Sequence, residues 1–228
     1  GHLKRLIERN TEQEKQQRRT ELALLQAQIN PHVLYITPDT IIWLIASGEI
    51  GEAVAMVSSL SNFFRFSLSR GQNVITIQEE QQHIRSYLEI QHMRYRDLME
   101  YVIDIPEELN AYILPKLTLQ PLVENALYHG IKIRRRKGLI RVSGRLEGGQ
   151  LVLEVADDGS GMTPERLEEV RASLVNGRKE GFGLRTVHQR IQILFGMEYG
   201  LTLESDPDAG TKIYVRIPMQ TNEKEMGA

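Results

Sequence analysis

The hydrophobic and polar positions of this 228-residue chain follow one period up to about residue 100 and a mixed pattern afterwards. In the first part, apolar residues recur every three or four positions, as they do in amphipathic helices. Residues 3–30 contain neither Gly nor Pro and are dense in Glu, Gln, Lys and Arg, which predicts one long helix. Its middle is too polar for a buried core, so the helix is either a solvated connector or one strand of a coiled coil.

A helical hairpin is predicted next. Asn30–Pro31 fits a helix N-cap followed by proline at the first helical position, and Pro38 should bend or interrupt the helix. After a turn at 47–51, a second amphipathic helix runs to about residue 69. Because a hairpin this thin cannot bury both of its apolar stripes alone, we expect two chains to form a four-helix bundle.

The pattern after residue 100 predicts a sheet covered by helices. A third long helix is expected at about 78–98, and "YVIDIP" (101–106) then alternates like a strand. Further strands are predicted at 139–146, 151–158, 199–205 and 211–218, and helices at 116–129, 164–175 and 183–195. Helices and mostly adjacent strands in this order predict an α+β two-layer sandwich with helices on one face of the sheet.

We therefore expect an α+β multidomain chain. The predicted parts are a linker helix (1–30), helical dimerisation segments (31–100), a two-layer sandwich (101–220) and a tail (221–228).

Composition and charge narrow the possible functions. With a net charge of −2 and a pI near 6.4, the chain has no overall positive potential that would attract nucleic acid. An anionic ligand must therefore be bound by a local site. The absence of Cys excludes disulfides, thiolate catalysis and thiolate metal sites. No run approaches the roughly 20 apolar residues of a membrane span. Gly1–His2 is typical of a cloning remnant, so we expect that other segments, including membrane spans, precede residue 1.

Polar residues interrupt the apolar helix "LQPLVENALYHG" (119–130), which carries Glu124, Asn125 and His129. Asn125 and His129 are four residues apart and share one face of a helix. An inward-facing Asn carboxamide is suited to hold a hydrated Mg²⁺ through its oxygen. The alternative is a surface Asn beside a helix end.

A second polar segment, "EVADDGSGM" (154–162), ends an alternating strand. A carboxylate there is only an acceptor, so it can receive a hydrogen bond from an adenine amino group but repels the guanine carbonyl. The glycines that follow have no Cβ, which lets the backbone approach a flat ring. The same residues are also compatible with a plain tight turn.

A third segment, "KEGFGLRTVHQRI" (179–191), places Gly181 and Gly183 before an apolar-faced helix. Glycines that open a helix expose its free N–H groups and its positive dipole end, which favours phosphate binding. It is not a dinucleotide-binding fingerprint, because the third glycine and the preceding strand are both missing.

The order and spacing of these three segments resemble the nucleotide-binding boxes of the GHKL ATPases, which include histidine kinases, gyrase and Hsp90. The resemblance implies ATP and Mg²⁺ as ligands of a Bergerat-type sandwich. It assigns the metal ligand to Asn125 and the adenine reader to Asp157. Further nucleotide-binding positions implied by it are His129, Gly159, Gly161, Gly181, Gly183, Leu184 and Thr211.

The helical half resembles the LytS/YesM-type sensor histidine kinases. "QINPHVLYITPDTI" (28–41) is similar to their phosphoacceptor box, and "LSNFFRFSLSRG", "YLEIQHMRY" and "LPKLTLQPLVENA" are similar to further family segments. The resemblance to this family covers about residues 21–218. The resemblance implies that His32 is phosphorylated by ATP. Neutral imidazole is already nucleophilic at physiological pH.

The chain departs from the family pattern at three positions that bear on phosphoryl transfer. Ile36 replaces an Asn one helical turn after His32, Pro38 replaces a Leu, and Tyr128 stands where the family often has a Lys that faces the phosphates. Lys132 or an Arg of 134–136 could supply that charge. No acid follows His32, so Glu124 is our candidate for polarising the imidazole.

The resemblance implies a protein-histidine kinase that autophosphorylates from Mg-ATP and passes the phosphoryl group to an aspartate of a response regulator. We expect a homodimer that does not bind nucleic acid. We further expect it to be the soluble, cytoplasmic portion of a bacterial inner-membrane sensor. One alternative is a degenerate ATP-binding dimer that acts as a signalling scaffold, and another is a GHKL ATPase that only hydrolyses ATP.

Overall fold

The computed structural model describes residues 31–67, 73–134, 136–176 and 182–221. Residue contacts divide the chain into two compact units, 1–57 and 58–228. The predicted helix over 3–30 lies outside the described residues. The third predicted helix belongs to the same unit as the sheet, and the domain boundaries at 30, 100 and 220 stay predictions.

The first unit contains helix α1 (Pro31–Ala46) and the start of helix α2 (Ile50–Ser67). The predicted turn between them is confirmed, and Gly48 adopts a φ of +82°, which favours glycine. The predicted interruption at Pro38 is wrong, because α1 continues through it. On either side of Pro38, the Thr37 hydroxyl donates to the Val33 carbonyl (2.6 Å) and the Thr40 hydroxyl donates to the Ile36 carbonyl (3.0 Å).

The second unit contains most of the predicted elements within a few residues of their expected ends. Its helices after α2 are α3 (Ile77–Arg94), α4 (Leu119–Asn125), α5 (Pro164–Asn176) and α6 (Phe182–Phe195), with a 3₁₀ turn at Glu107–Leu109. Its strands are β1 (Val74–Thr76), β2 (Met99–Asp104), β3 (Ile113–Pro115), β4 (Gly138–Glu147), β5 (Gln150–Asp157), β6 (Gly200–Asp206) and β7 (Gly210–Pro218).

Five strands form one mixed sheet in the order β2-β4-β5-β7-β6. Only the β2–β4 pair within this sheet is parallel. Successive residues of β5 point to opposite faces, and Leu151, Leu153 and Val155 are buried on one of them. On the other face Glu154 lies opposite Tyr214 and pairs with Arg145 at 3.1 Å. The predicted α+β sandwich of one sheet and its covering helices is confirmed.

Two three-residue strands, β1 and β3, were not predicted. They pair antiparallel, with Ile75 opposite Leu114, and they join the start of α3 to the start of α4. Thr76 ends β1 and caps α3, because its hydroxyl accepts the Glu79 N–H while the Glu79 carboxylate accepts the Thr76 N–H. The β1–β3 pair is therefore fixed to the first turn of α3.

A fully buried carboxyl group, that of Glu80 in α3, holds the beginning of α4. Its two oxygens accept the backbone N–H of Leu117 (3.1 Å) and that of Leu119 (2.7 Å). Leu117 has a φ of +59°, which is unfavourable for a side chain with a Cβ, so these bonds fix a conformation that the residue would otherwise avoid. Burial is the largest effect on this carboxyl group and raises the pKa of Glu80 to about 7.

Glu80 should make stability depend on pH. The folded pKa is about 7 and the ordinary value is 4.5, so the folded state binds the proton more tightly. The stabilisation from this group is complete below about pH 4.5 and is lost as the pH rises to 7, by roughly 3 kcal/mol. The unfolding free energies of the unchanged chain and of Glu80→Gln can be measured by urea denaturation with circular dichroism. Between about pH 4.5 and pH 7, the unchanged chain should lose that amount of stability relative to the variant. A pH-independent difference would contradict the raised pKa.

Candidate functional site

The helix that carries Glu124, Asn125 and His129 does not end where the sequence predicts. Gly130 was expected to lie just beyond its last residue, but α4 continues through a π-helical segment (Ala126–Ile131) and a final α-helical turn (Lys132–Arg134). The Lys132 N–H donates to the carbonyl of Leu127, five residues earlier, which is the π-helical spacing. We call Ala126–Ile131 the π segment. Such wide turns are frequent at functional sites.

Gly130 is required by close packing rather than by a helix end. A Cβ on Gly130 would lie 2.4 Å from Oδ1 of Asp157, and a Cβ on Gly159 would lie 2.3 Å from the backbone carbonyl carbon of Gly130. Ser160 adds a hydrogen bond from its N–H to the Gly130 carbonyl (3.2 Å). The backbone of the π segment is therefore in direct contact with the end of β5, at the Asp157 side chain, and with the backbone of Gly159.

An open cavity of about 350 Å³ lies beside this helix, within the usual range for ligand sites. The structure brings Glu124, Asn125 and His129 together here with Gly183 and Leu184 of α6. Two further lining residues, Pro121 and Tyr128, had not been assigned to the site. Helical spacing explains the whole set from α4 and the π segment, because one face of that helix forms one wall.

Asp157 lies at the end of β5 and is only 7% exposed. Oδ1 accepts the Gly159 N–H at 2.8 Å. Burial is the largest effect on the carboxyl group and raises the pKa of Asp157 to about 6, although the bond from Gly159 acts in the opposite direction. Asp158 is exposed, and its carboxylate accepts the Leu139 N–H at 2.7 Å instead. The two adjacent acids therefore have different tasks, and only Asp157 faces the π segment.

The loop after β5 is anchored on the turn between β6 and β7. Gly161 has a φ of +63°, and a Cβ there would lie 1.8 Å from the Asp206 carbonyl oxygen. The Ser205 hydroxyl accepts the Met162 N–H (2.9 Å) and donates to the Gly210 carbonyl (2.8 Å), and it lies 2.9 Å from the Thr211 hydroxyl. Gly161 and Thr211 thus secure the loop, and Ser205 is a residue that sequence reasoning missed.

The second glycine segment is described only in part. Gly181 lies outside the described residues. Helix α6 begins at Phe182, which leaves Gly183 exposed in its first turn and Leu184 buried. The first N–H groups of a helix have no partner within it, so the α6 N-terminus is a favourable place for negative charge at the cavity.

The donor set fits a nucleotide-bound metal ion better than a metal held by the protein alone. Among the described residues, no three His, Asp or Glu side chains form a metal-binding group. Asn125 offers one carboxamide oxygen in the cavity wall. A single such ligand suits Mg²⁺, which commonly completes its shell with water and phosphate oxygens.

Lys132, which with an Arg of 134–136 was a candidate to supply the charge of a phosphate-facing Lys at position 128, is held by aromatic rings. Its ammonium lies 4.7 Å from the ring centroid of Tyr95 and 4.8 Å from that of Tyr128, and it donates to the Tyr95 hydroxyl at 3.2 Å. The charge is therefore held against two rings, one of which belongs to a cavity-lining residue. His32 is in the first turn of α1, and its side chain lies outside the described residues.

Two family models match the chain. One described as "Histidine kinase" matches residues 20–99, and one described as "Histidine kinase-, DNA gyrase B-, and HSP90-like ATPase" matches residues 114–221. The second match contains α4, the π segment, both glycine segments and the cavity.

Similar proteins and structures agree with these matches. The chain is 37% identical to sensor histidine kinase YesM of Bacillus subtilis over 95% of its length and 35% identical to sensor histidine kinase BtsS of Escherichia coli over 87%. It spans about a third of the length of these relatives, 36% and 33%. The histidine kinase domain of an Erythrobacter litoralis blue-light activated histidine kinase shares the fold, with a TM-score of 0.50, 19% identity and coverage of 91% and 94%. The chain therefore belongs to the sensor histidine kinases of the LytS/YesM type.

Proposed function

We propose that this protein binds Mg-ATP in the cavity beside α4, phosphorylates His32 and passes the phosphoryl group to an aspartate of a response regulator. The observation that carries the proposal is the joint wall formed by Glu124, Asn125 and Gly183, which combines a carboxylate, a carboxamide and a helix N-terminus in one cavity. Proximity and charge neutralisation are the main requirements of phosphoryl transfer, and these groups supply both.

Each residue has a separate task in this proposal. The Asp157 carboxylate accepts a hydrogen bond from the adenine amino group, and the α6 N-terminus at Gly183 receives the phosphates. Asn125 holds the metal ion, which neutralises phosphate charge. One imidazole nitrogen of His32 forms the new bond to the γ-phosphorus as the bond to the bridging oxygen breaks and ADP leaves. Glu124 accepts the proton from the other ring nitrogen.

We also propose that the chain acts as a homodimer and that its parent protein carries membrane-spanning sensor segments before residue 1. Within the described part of the chain, none of the helices has the length and apolarity needed to cross a bilayer. The first unit and the start of α2 expose a set of large apolar residues: Ile42, Trp43, Ile45, Ile50, Val54 and Val57. A second copy that supplies two more helices would cover them.

The phosphoacceptor can be tested by labelling. Incubation with Mg-ATP carrying a γ-phosphate label should give an acid-labile, alkali-stable phosphoprotein. His32→Ala should reduce the label to background and leave ATP affinity unchanged, because the proposal assigns His32 to accepting the phosphoryl group and not to holding the nucleotide. His92→Ala, which removes a partly exposed imidazole, is the matched control and should keep the label.

Labelling that survives His32→Ala would refute this assignment. ATP binding with no phosphoprotein in the unchanged chain would instead support a scaffold that transfers nothing. Phosphate release well above phosphoprotein formation would indicate plain hydrolysis.

Adenine recognition by Asp157 should depend on pH. The pKa of Asp157 is about 6, and only its ionised form is a pure acceptor, so ATP affinity should fall as the pH drops from about 7 to 5. Asp157→Asn should weaken binding by about tenfold to hundredfold and abolish most of this pH dependence. Calorimetric titration with a non-hydrolysable ATP analogue measures both. Asp158→Asn controls for the titration of the nucleotide itself, and equal behaviour of the two variants would contradict the assignment.

The dimer can be tested at the exposed face of α1. Trp43 is 63% exposed, and Trp43→Glu would place a charge in the proposed bundle. Sedimentation should then show a monomer at concentrations where the unchanged chain is a dimer. Ile193→Glu changes an apolar residue of α6 that is 82% exposed, so it should leave the dimer intact. An unchanged sedimentation coefficient for Trp43→Glu would argue against this interface.

A further inference from the structure

A chain of polar side chains leads from the buried face of α3 to the cavity. Nε2 of His83 lies 2.7 Å from Oε1 of Gln120, and Nε2 of Gln120 donates to Oε1 of Glu124 at 2.9 Å. His83 is 1% exposed and Gln120 is 5% exposed. Glu124 is half-buried and lines the cavity. These contacts lie within the second unit.

The donor and acceptor groups of the three side chains fix the direction of each hydrogen bond between them. An ionised carboxylate only accepts, so Gln120 must turn its NH₂ group to Glu124. Its carbonyl oxygen then faces His83, and that oxygen also only accepts. His83 must therefore carry its proton on Nε2. The charge on Glu124 thus selects the amide orientation of Gln120, which in turn selects the tautomer of His83.

Aromatic packing holds the ring of His83 in place independently of these hydrogen bonds. Phe63 of α2 stacks on it with a centroid distance of 4.9 Å and an interplanar angle of 21°, and Phe66 lies edge-on at 6.3 Å. Burial lowers the pKa of His83 to about 4, so the ring is neutral at physiological pH. Its Nδ1 atom is buried without a hydrogen-bond partner among the described residues. In the Nε2–H tautomer this atom carries no proton, so no N–H group is left unpaired on that side of the ring.

We propose that Gln120 and His83 are positioning residues that hold the Glu124 carboxylate in the orientation needed to take the proton from His32. This inference rests on the proposed function, because it names what aims the proposed base. Gln120 occupies one carboxylate oxygen and fixes the side-chain rotamer, and His83 holds the far end of the Gln120 amide by donating to its carbonyl oxygen. The stacking of His83 on Phe63 links this set of hydrogen bonds to α2, the helix that begins in the first unit.

The kinetic test uses variants that separate hydrogen bonding from packing. Gln120→Met keeps the length of the side chain but loses the donor, so the single-turnover phosphorylation rate at saturating Mg-ATP should fall about tenfold, a part of the 10²–10⁴ that a positioned base contributes. The dissociation constant for ATP should change less than twofold. In a Glu124→Gln background the same substitution should have almost no further effect, since the base is already absent.

His83 provides a matched pair. His83→Gln keeps an N–H donor towards Gln120, whereas His83→Phe keeps a stacked ring without a donor. A positioning role predicts that His83→Gln retains more activity, and a packing role predicts the reverse order. Circular dichroism checks that both variants are folded. An unchanged rate in Gln120→Met, or a more active His83→Phe, would overturn the inference.

A spectroscopic measurement distinguishes this inference from the proposed function. Nitrogen-15 NMR of the unchanged chain should show His83 as a single Nε2–H tautomer. In Glu124→Leu the Gln120 amide is free to turn over, so a mixture of tautomers should appear. This readout involves no phosphoryl transfer. Failure of Glu124→Gln to lower the phosphorylation rate would remove the proposed base, whereas mixed tautomers in the unchanged chain would refute the positioning chain itself.

Discussion

The candidate site depends on a contact between two backbones that leaves no room for side chains. The π segment meets the end of β5 at Gly130 and Gly159, where a methyl group on either residue would overlap its neighbour. Because the contact is this close, the wall that carries Asn125 and the strand end that carries Asp157 are held at a fixed spacing. A ligand that must reach both finds them arranged before it binds, which reduces the ordering cost of binding.

Buried acids secure the elements on both sides of this contact. Glu80 and Asp157 each accept backbone N–H groups, and burial raises both pKa values. A buried polar group without a partner would be costly, so these bonds also determine which loop conformations are tolerated. Glu124 differs, because the side-chain amide of Gln120 donates to it from the protein interior and because it lines the cavity. The acids that shape the fold and the acid assigned to chemistry are thus distinguishable by their partners.

Much of the fold and most of the cavity wall could be predicted, because hydrophobic period and motif spacing are local signals. Asn125, His129 and Gly183 are brought together as expected. Local signals do not report tertiary contacts, however. The close packing of Gly130 involves Asp157, which lies 27 residues later in the chain and in the sheet layer, and the structural role of Gly161 depends on a distant turn. The histidine at position 83 was assigned no role, since its value comes from neighbours on other elements.

A π-helical turn holds one residue more than the α-helical turn it replaces. Removing one residue from Ala126–Ile131 would restore α-helical spacing and leave the turns before and after it in nearly their present orientation, because the wide turn accommodates one extra residue. The backbone inside the turn, including Gly130, would then follow a different path past β5. Substitutions in this stretch change one contact each, but a deletion changes the course of the backbone that meets β5. The number of residues in this turn is therefore as much a part of the site's specification as their identities.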